Sequence, residues 1–197
     1  MSESLRELLV ELEQFGQEND AAIVDRPRRM LNITRDTGEF LAVLTQATNA
    51  QRVLEIGTSN GYSTLWLAQA AQKIGGHVMT IEQAEFKLEL AAKNFERSGL
   101  SEVITQLCGE ASGLIESMPD ANADLIFLDS KRSEYVHWWP TIKRILRRGG
   151  LLVVDNATSH ADEMAAFMAL VSADADVATC IVPVGNGQFL ATRNRVH

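Results

Sequence analysis

Val53-Leu54-Glu55-Ile56-Gly57-Thr58-Ser59-Asn60-Gly61-Tyr62-Ser63 is the stretch on which the fold turns. Val53 to Ile56 is a short β-type run that stops at Gly57. From about Gly61 to Ala71 the apolar spacing becomes helical. A strand that passes through such a turn into a helix can offer backbone N–H groups to an anion at the helix N-terminus. The spacing is G-x-x-x-G, and Ser59 stands where a dinucleotide turn places the glycine that admits a pyrophosphate. No Lys-Ser/Thr pair follows, so the turn is not a P-loop. It suits a small carboxylate better than a diphosphate.

The same alternation continues downstream. His77 to Glu82, Val103 to Cys108, Asp124 to Asp129 and Leu151 to Asp155 read as strands. Between them lie helical spacings: Leu88, Ala91, Ala92 and Phe95, closing at Gly99, then Tyr135, Trp138, Trp139, Ile142 and Leu146, ended by Gly149-Gly150. Met164, Phe167, Met168 and Val171 mark the last helix. Cys180 to Val184 and Phe189 to Thr192 flank Gly185-Asn186-Gly187 as an antiparallel hairpin. Upstream, Leu5, Leu8, Leu9, Leu12 and Phe15 form one stripe on a charged helix. Asp20 to Met30, with Pro27 among arginines, reads as a loop. Asp36 to Glu39 predicts a capping box with Asp36 as N-cap, opening a helix through Phe40, Leu41, Leu44 and Ala47. The whole predicts one α/β domain: a mostly parallel sheet with helices on both faces and a closing hairpin.

With 197 residues the chain is long enough for one domain with a sizeable core. Its formal net charge of -8 argues against a nucleic-acid backbone or an anionic membrane as partner. No run of apolar residues is long enough to span a bilayer, and no signal peptide is visible, so a cytoplasmic protein is expected. Cys108 and Cys180 lie in apolar, strand-like surroundings and read as reduced core thiols.

Ligands of open α/β sheets sit outside the carboxyl ends of the strands. Here those ends are Gly57, Glu82, Cys108-Gly109-Glu110, Asp129 and Asp155-Asn156. Carboxylates gathered along one edge repel each other unless a cationic or hydroxyl-rich ligand, or a metal, meets them. Glu82 is placed to accept the hydroxyls of a ribose. A nucleoside with a small carboxylate tail describes S-adenosylmethionine.

The turn from Val53 to Ser63 resembles the cofactor motif of the small cation-dependent O-methyltransferases, the group of catechol and caffeoyl-CoA O-methyltransferases. The resemblance extends through Ile81-Glu82, Asp124 to Asp129, Gly149-Gly150, Asp155-Asn156 and Pro183 to Gly187. It implies the class I methyltransferase (Rossmann-like) fold, a seven-stranded sheet with its last strand antiparallel. It implies that Ile33 and Ser63 hold the methionine carboxylate, and Gly57 with Asp129 the amino group. Glu55 would order the loop, and Tyr62 would lie beside the methionine portion. Glu82 would take the ribose, Gln83 would lie against the adenine, and Glu110 and Ala111 would face the adenine edge. Asp129, Asp155 and Asn156 match the three ligands of a divalent cation, Mg²⁺ by the hardness of the donors. Relatives of this kind are often dimers, so a homodimer is carried as an expectation.

The chain departs from the family where a lysine usually serves as base, three positions after the first metal Asp. That place is Arg132, which cannot be deprotonated. Lys131 and His160 are the remaining candidates, with His160 favoured because it needs no large pKa shift to act near neutrality. Trp138 and Trp139, on an apolar helical stripe, read as core residues. The expected activity is methyl transfer to a hydroxyl of a small, catechol-like acceptor. The alternatives are a cofactor-binding protein without turnover and a nicotinamide-dependent oxidoreductase.

Overall fold

The computed structural model describes residues 1–195. Seven strands form one sheet in the order β3-β2-β1-β4-β5-β7-β6. They are β1 (Arg52–Ile56), β2 (His77–Glu82), β3 (Ile104–Cys108), β4 (Ala123–Leu128), β5 (Leu146–Val154), β6 (Val177–Val182) and β7 (Gln188–Arg193). β1 to β5 run parallel, and β7 is antiparallel to both β5 and β6. The helices are α1 (Glu3–Ala22), α2 (Arg35–Ala47), α3 (Tyr62–Lys73), α4 (Glu85–Ser98), α5 (Ala111–Glu116), α6 (Tyr135–Ile145) and α7 (Ala161–Ser172).

The period of two along each central strand divides the core. Val53, Leu125, Phe127 and Val153 pack with α1 to α4 on one face. Leu54, Ile56, Ile126, Leu128, Leu152 and Val154 pack with α5, α6 and α7 on the other. Being covered on both faces, these strands are apolar through the centre of the sheet; Arg52, Asp124 and Arg147 pair with one another at the opposite end, and Glu55, buried mid-strand, belongs to the site. The chain lays β2 and β3 on one side of β1, then returns to lay β4 on the other. The connections diverge there and leave a crevice above the carboxyl ends of β1 and β4. Gly57 at that point has φ +114°, and a Cβ on it would run into the carbonyl oxygen of Asp129.

Several expectations need correction. α1 runs to Ala22, and a 3₁₀ turn at Arg26–Arg28 interrupts the expected loop. Thr34, not Asp36, is the N-cap of α2. Asp36 instead accepts from the Gly185 N–H at 3.0 Å and fastens the closing hairpin to α2. Cys108 and Cys180 are exposed, because β3 and β6 are the two edge strands. β5 begins at Leu146, so Gly149-Gly150 lies within it, and α5 has no counterpart in the sequence pattern.

Gly57→Ala should destabilise the protein by at least about 2 kcal/mol, because it combines an unfavourable φ with a backbone clash. Thermal unfolding of the variant beside wild type checks this; an unchanged midpoint would mean that the turn can open away from Asp129.

Candidate active site

The crevice is a cavity of about 870 Å³. Ile33, Gly57, Tyr62, Ser63, Glu82, Gln83, Glu110, Ala111, Asp129, Lys131, Asp155, Asn156 and His160 all line it. Glu55 lies beneath. It is fully buried and accepts from Ser63 Oγ at 2.6 Å, from Thr80 Oγ1 at 2.7 Å and from Thr64 Oγ1. Ser63 and Thr64 open α3, so the carboxyl group sits under a helix N-terminus, where its partial positive charge favours an acid. Burial nevertheless dominates and pushes the Glu55 pKa up from 4.5 to about 7.

Glu82 is half-buried and organises the loops above β1 and β2. One carboxylate oxygen accepts the Ser59 N–H at 3.0 Å. The other accepts those of Gln83 and Ala84, each at 3.0 Å. A carboxylate offers about four acceptor sites, so roughly one remains for a ligand hydroxyl. Tyr62 is buried, and its hydroxyl donates to Glu13 of α1 at 2.5 Å. Ser59 Oγ donates to the Met30 carbonyl at 2.7 Å and so ties the turn to the strap that carries Ile33.

Asp129 and Asp155 end the neighbouring strands β4 and β5; Asp155 is buried and Asp129 is half-buried in the cavity wall. Burial, then the charge of Asp155, pushes the Asp129 carboxyl up. Burial likewise pushes Asp155 up, against a hydrogen bond from Gln188 Nε2. Asn156, at φ +68°, turns its Nδ2 to both acids at 3.1 Å. Exchanging the amide nitrogen and oxygen of Asn156 would set an amide oxygen 3.1 Å from one carboxylate oxygen of each acid. Two adjacent acids, one buried and one half-buried, with an amide beside them are chemically suited to a hard divalent cation. Among the described residues no group of three or more His, Cys, Asp or Glu is arranged for a metal.

The candidate bases differ in their surroundings. Lys131 is 71% exposed and paired with Glu134 at 3.0 Å. His160 caps α7, and its Nδ1 lies 3.0 Å from Ser159 Oγ. The Asn186 carbonyl accepts from the Thr158 and Ser159 N–H groups, each at 3.1 Å, and pins the segment that carries His160. Trp138 is buried in the core as expected, yet one side of it also faces the cavity. Sequence reasoning missed Asp20, Arg26, Lys87 and Asn186 as lining residues and Gln188 as the partner of Asp155. Only Asn186, in the glycine turn of the hairpin, carried a local signal.

The O-methyltransferase family profile matches residues 2–194. The chain belongs to the O-methyltransferase family. It is 35% identical over 138 residues to a catechol O-methyltransferase of Mycobacterium tuberculosis, covering 70% of this chain and 60% of that one. It is 31% identical over 151 residues to a catechol O-methyltransferase of Niastella koreensis, covering 72% and 68%. Among solved structures, the O-methyltransferase from Bacillus cereus in complex with SAH superposes with a TM-score of 0.79 at 25% identity, covering 98% and 92%. A methyltransferase from Geobacter sulfurreducens gives 0.74 at 26%, covering 94% and 89%. These likenesses bear out the family resemblance and the class I fold of this O-methyltransferase relative. None of these likenesses is to a nicotinamide-dependent oxidoreductase.

Because the Glu55 pKa is raised, folding holds a proton that the unfolded chain releases. The stability this group contributes is complete below its unfolded value of about 4.5 and is lost as pH rises through about 7. Glu55→Gln should remove that part of the slope, so its melting temperature should fall less than that of wild type between about pH 5 and pH 8. Parallel curves would show that Glu55 is ionised throughout.

Proposed function

We propose that this protein transfers the methyl group of S-adenosylmethionine to a hydroxyl of a small, catechol-like acceptor. The observation that carries the reading is the union, in one cavity, of the Gly57–Ser63 turn and Glu82 with the neighbouring Asp129 and Asp155. The names of the two catechol O-methyltransferase relatives and the SAH complex of the Bacillus cereus neighbour support it.

Ser63 Oγ is committed to Glu55, so its backbone N–H, free in the first turn of α3, is the group left for the methionine carboxylate beside Ile33. Gly57 and Asp129 face the amino group, and Tyr62, held by Glu13, packs beside the methionine chain. Glu82 takes a ribose hydroxyl with its remaining acceptor site. Gln83, Glu110 and Ala111 border the adenine. Asp129, Asp155 and Asn156 would hold a divalent cation, Mg²⁺ in this hard-oxygen setting, which when bound acidifies and orients an acceptor hydroxyl. His160 receives the hydroxyl proton at Nε2, since Nδ1 is engaged with Ser159. The acceptor oxygen then bonds to the methyl carbon as the carbon–sulfur bond breaks, and the electron pair stays on sulfur.

Glu82→Ala should weaken S-adenosylhomocysteine binding by about tenfold or more, in line with ~1.5–3 kcal/mol for a hydrogen bond to a charged group. Calorimetry reads it directly, and wild-type affinity in the variant would remove Glu82 from the ribose.

Turnover of a catechol panel should stop in excess chelator and return with Mg²⁺ or Mn²⁺. Within that assay His160→Ala should lose about 100-fold, the range of general-base catalysis, and Lys131→Met should stay near wild type. The reverse order would make Lys131 the base. Cofactor binding without any methylation would favour a protein that has lost turnover.

A further inference from the structure

Arg132 stands in the wall of the acceptor end of the cavity, and its role there rests on the proposed methyl transfer. Its side chain is only 10% exposed. Nε donates to Glu163 at 2.8 Å, and among the described residues neither Nη has a hydrogen-bond partner. Neither Nη is a fully buried, unsatisfied atom, so both keep some access to solvent, and Arg132 is among the residues that line the cavity. Glu163, at 58% exposed, takes the Nε donor and leaves both Nη groups available.

A guanidinium carries five N–H donors in a plane, accepts nothing and keeps its proton at ordinary pH. Largely buried, with both Nη groups unbonded, it can hold an anionic oxygen in addition to opposing the charges of Asp129 and Asp155, and it holds an anion better than a neutral oxygen. The surroundings favour the same class of ligand. Arg26, which also lines the cavity, has no side-chain partner among the described residues. Trp138 supplies a flat apolar wall nearby, suited to an aromatic ring. The acids that could neutralise Arg132 from within, Asp129 and Asp155, are the proposed cation ligands.

We propose that Arg132 binds an oxyanion of the acceptor, so that the cavity selects hydroxylated aromatics presented as anions. The oxyanion is either the ionised reacting hydroxyl or a carboxylate substituent. In both cases Arg132 neither gains nor loses a proton. It lowers the energy of the anion, and the proton leaves through His160 or solvent.

The test uses the full chain with S-adenosylhomocysteine, with and without Mg²⁺, in wild type, Arg132→Gln and Arg132→Lys. One arm titrates bound 4-nitrocatechol by its absorbance. The other compares 3,4-dihydroxybenzoate with its amide by calorimetry. If the hydroxyl is the oxyanion, the bound nitrocatechol ionises about one pH unit lower than in water. Arg132→Gln then reverses much of that shift in both metal conditions. If the substituent is the oxyanion, wild type binds the carboxylate about tenfold tighter than the amide. Arg132→Gln then erases the difference. Arg132→Lys keeps the charge without the fork, so it should fall between, and it serves should the glutamine variant fold poorly. A glutamine variant that melts like wild type and changes neither arm overturns the proposal. Failure of wild type to bind S-adenosylhomocysteine would refute the parent reading alone, because the carboxylate–amide comparison can be repeated without it.

Discussion

Glu55 draws its three hydroxyl partners from two elements, Thr80 from β2 and Ser63 with Thr64 from the start of α3. Thr80 is in turn 2.6 Å from Thr58 Oγ1 in the turn itself. One buried carboxyl group therefore fixes the level at which β1 ends, the tilt of the first turn of α3 and the path of the chain between them. Thr58 and its neighbours could not be polar at this depth without such a hub, since a buried hydroxyl without a partner costs about 1–3 kcal/mol. Gly57 must then pass against the Asp129 carbonyl with no side chain between, which sets the spacing of β1 and β4 at the crevice. The cavity floor is a consequence of that arrangement, and the residues proposed to contact the cofactor are held by it.

A second constraint is electrostatic. Asp129 and Asp155 sit at the ends of adjacent parallel strands, where the register brings Leu128 beside Val154. Asp155 is buried and Asp129 is half-buried at the cavity wall, so water screens their charges only in part. The protein offers Arg132, the Asn156 amide and Gln188 against them, yet burial keeps both acids shifted upward. A site so built stands poised for added positive charge. The fully buried Gln188 gives its Nε2 to Asp155, while its Oε1 has no partner among the described residues. That one-sided amide fixes one edge of Asp155 and leaves the other for Asn156 and whatever the cavity holds.

The central fold was legible because the strands are covered on both faces and therefore read as apolar runs that stop at glycine or acid. That same logic located the site, since the acids stand where the apolar runs end. Legibility failed where a residue's meaning depends on another segment. Cys108 and Cys180 sit in runs that look like core strands, and only the strand order reveals that both runs lie at sheet edges. Asp36 has the local pattern of an N-cap, but the hairpin around Gly185, far along the chain, claims its carboxylate. Asp20 lies beyond the apolar stripe of α1, so nothing local announces that it accepts the Met30 and Leu31 N–H groups at 2.7 and 2.9 Å. Gln188 occupies a strand position that sequence pattern treats as ordinary.

The strap that Asp20 holds shows how α1 enters the site. Leu31 sits at φ +51°, a conformation that costs an ordinary side chain energy, and the two bonds to Asp20 offset it. Asn32 Nδ2 donates to the Leu12 carbonyl at 2.9 Å, where Gly16 leaves room for the amide. On its inner side the strap is bound to Ser59, and Glu13 reaches past it to Tyr62 and Arg35. Thus α1, which composition alone marks as a charged surface helix, positions both the lining residue Ile33 and the Tyr62 ring. Its apolar face is anchored in the core by Leu5, Leu8, Leu9 and Leu12, and its polar residues near the C-terminal end act on the cavity. Amphipathic periodicity identifies the first role, save for Phe15, which is exposed, and is silent on the second, because the partners of Glu13 and Asp20 are set by tertiary packing.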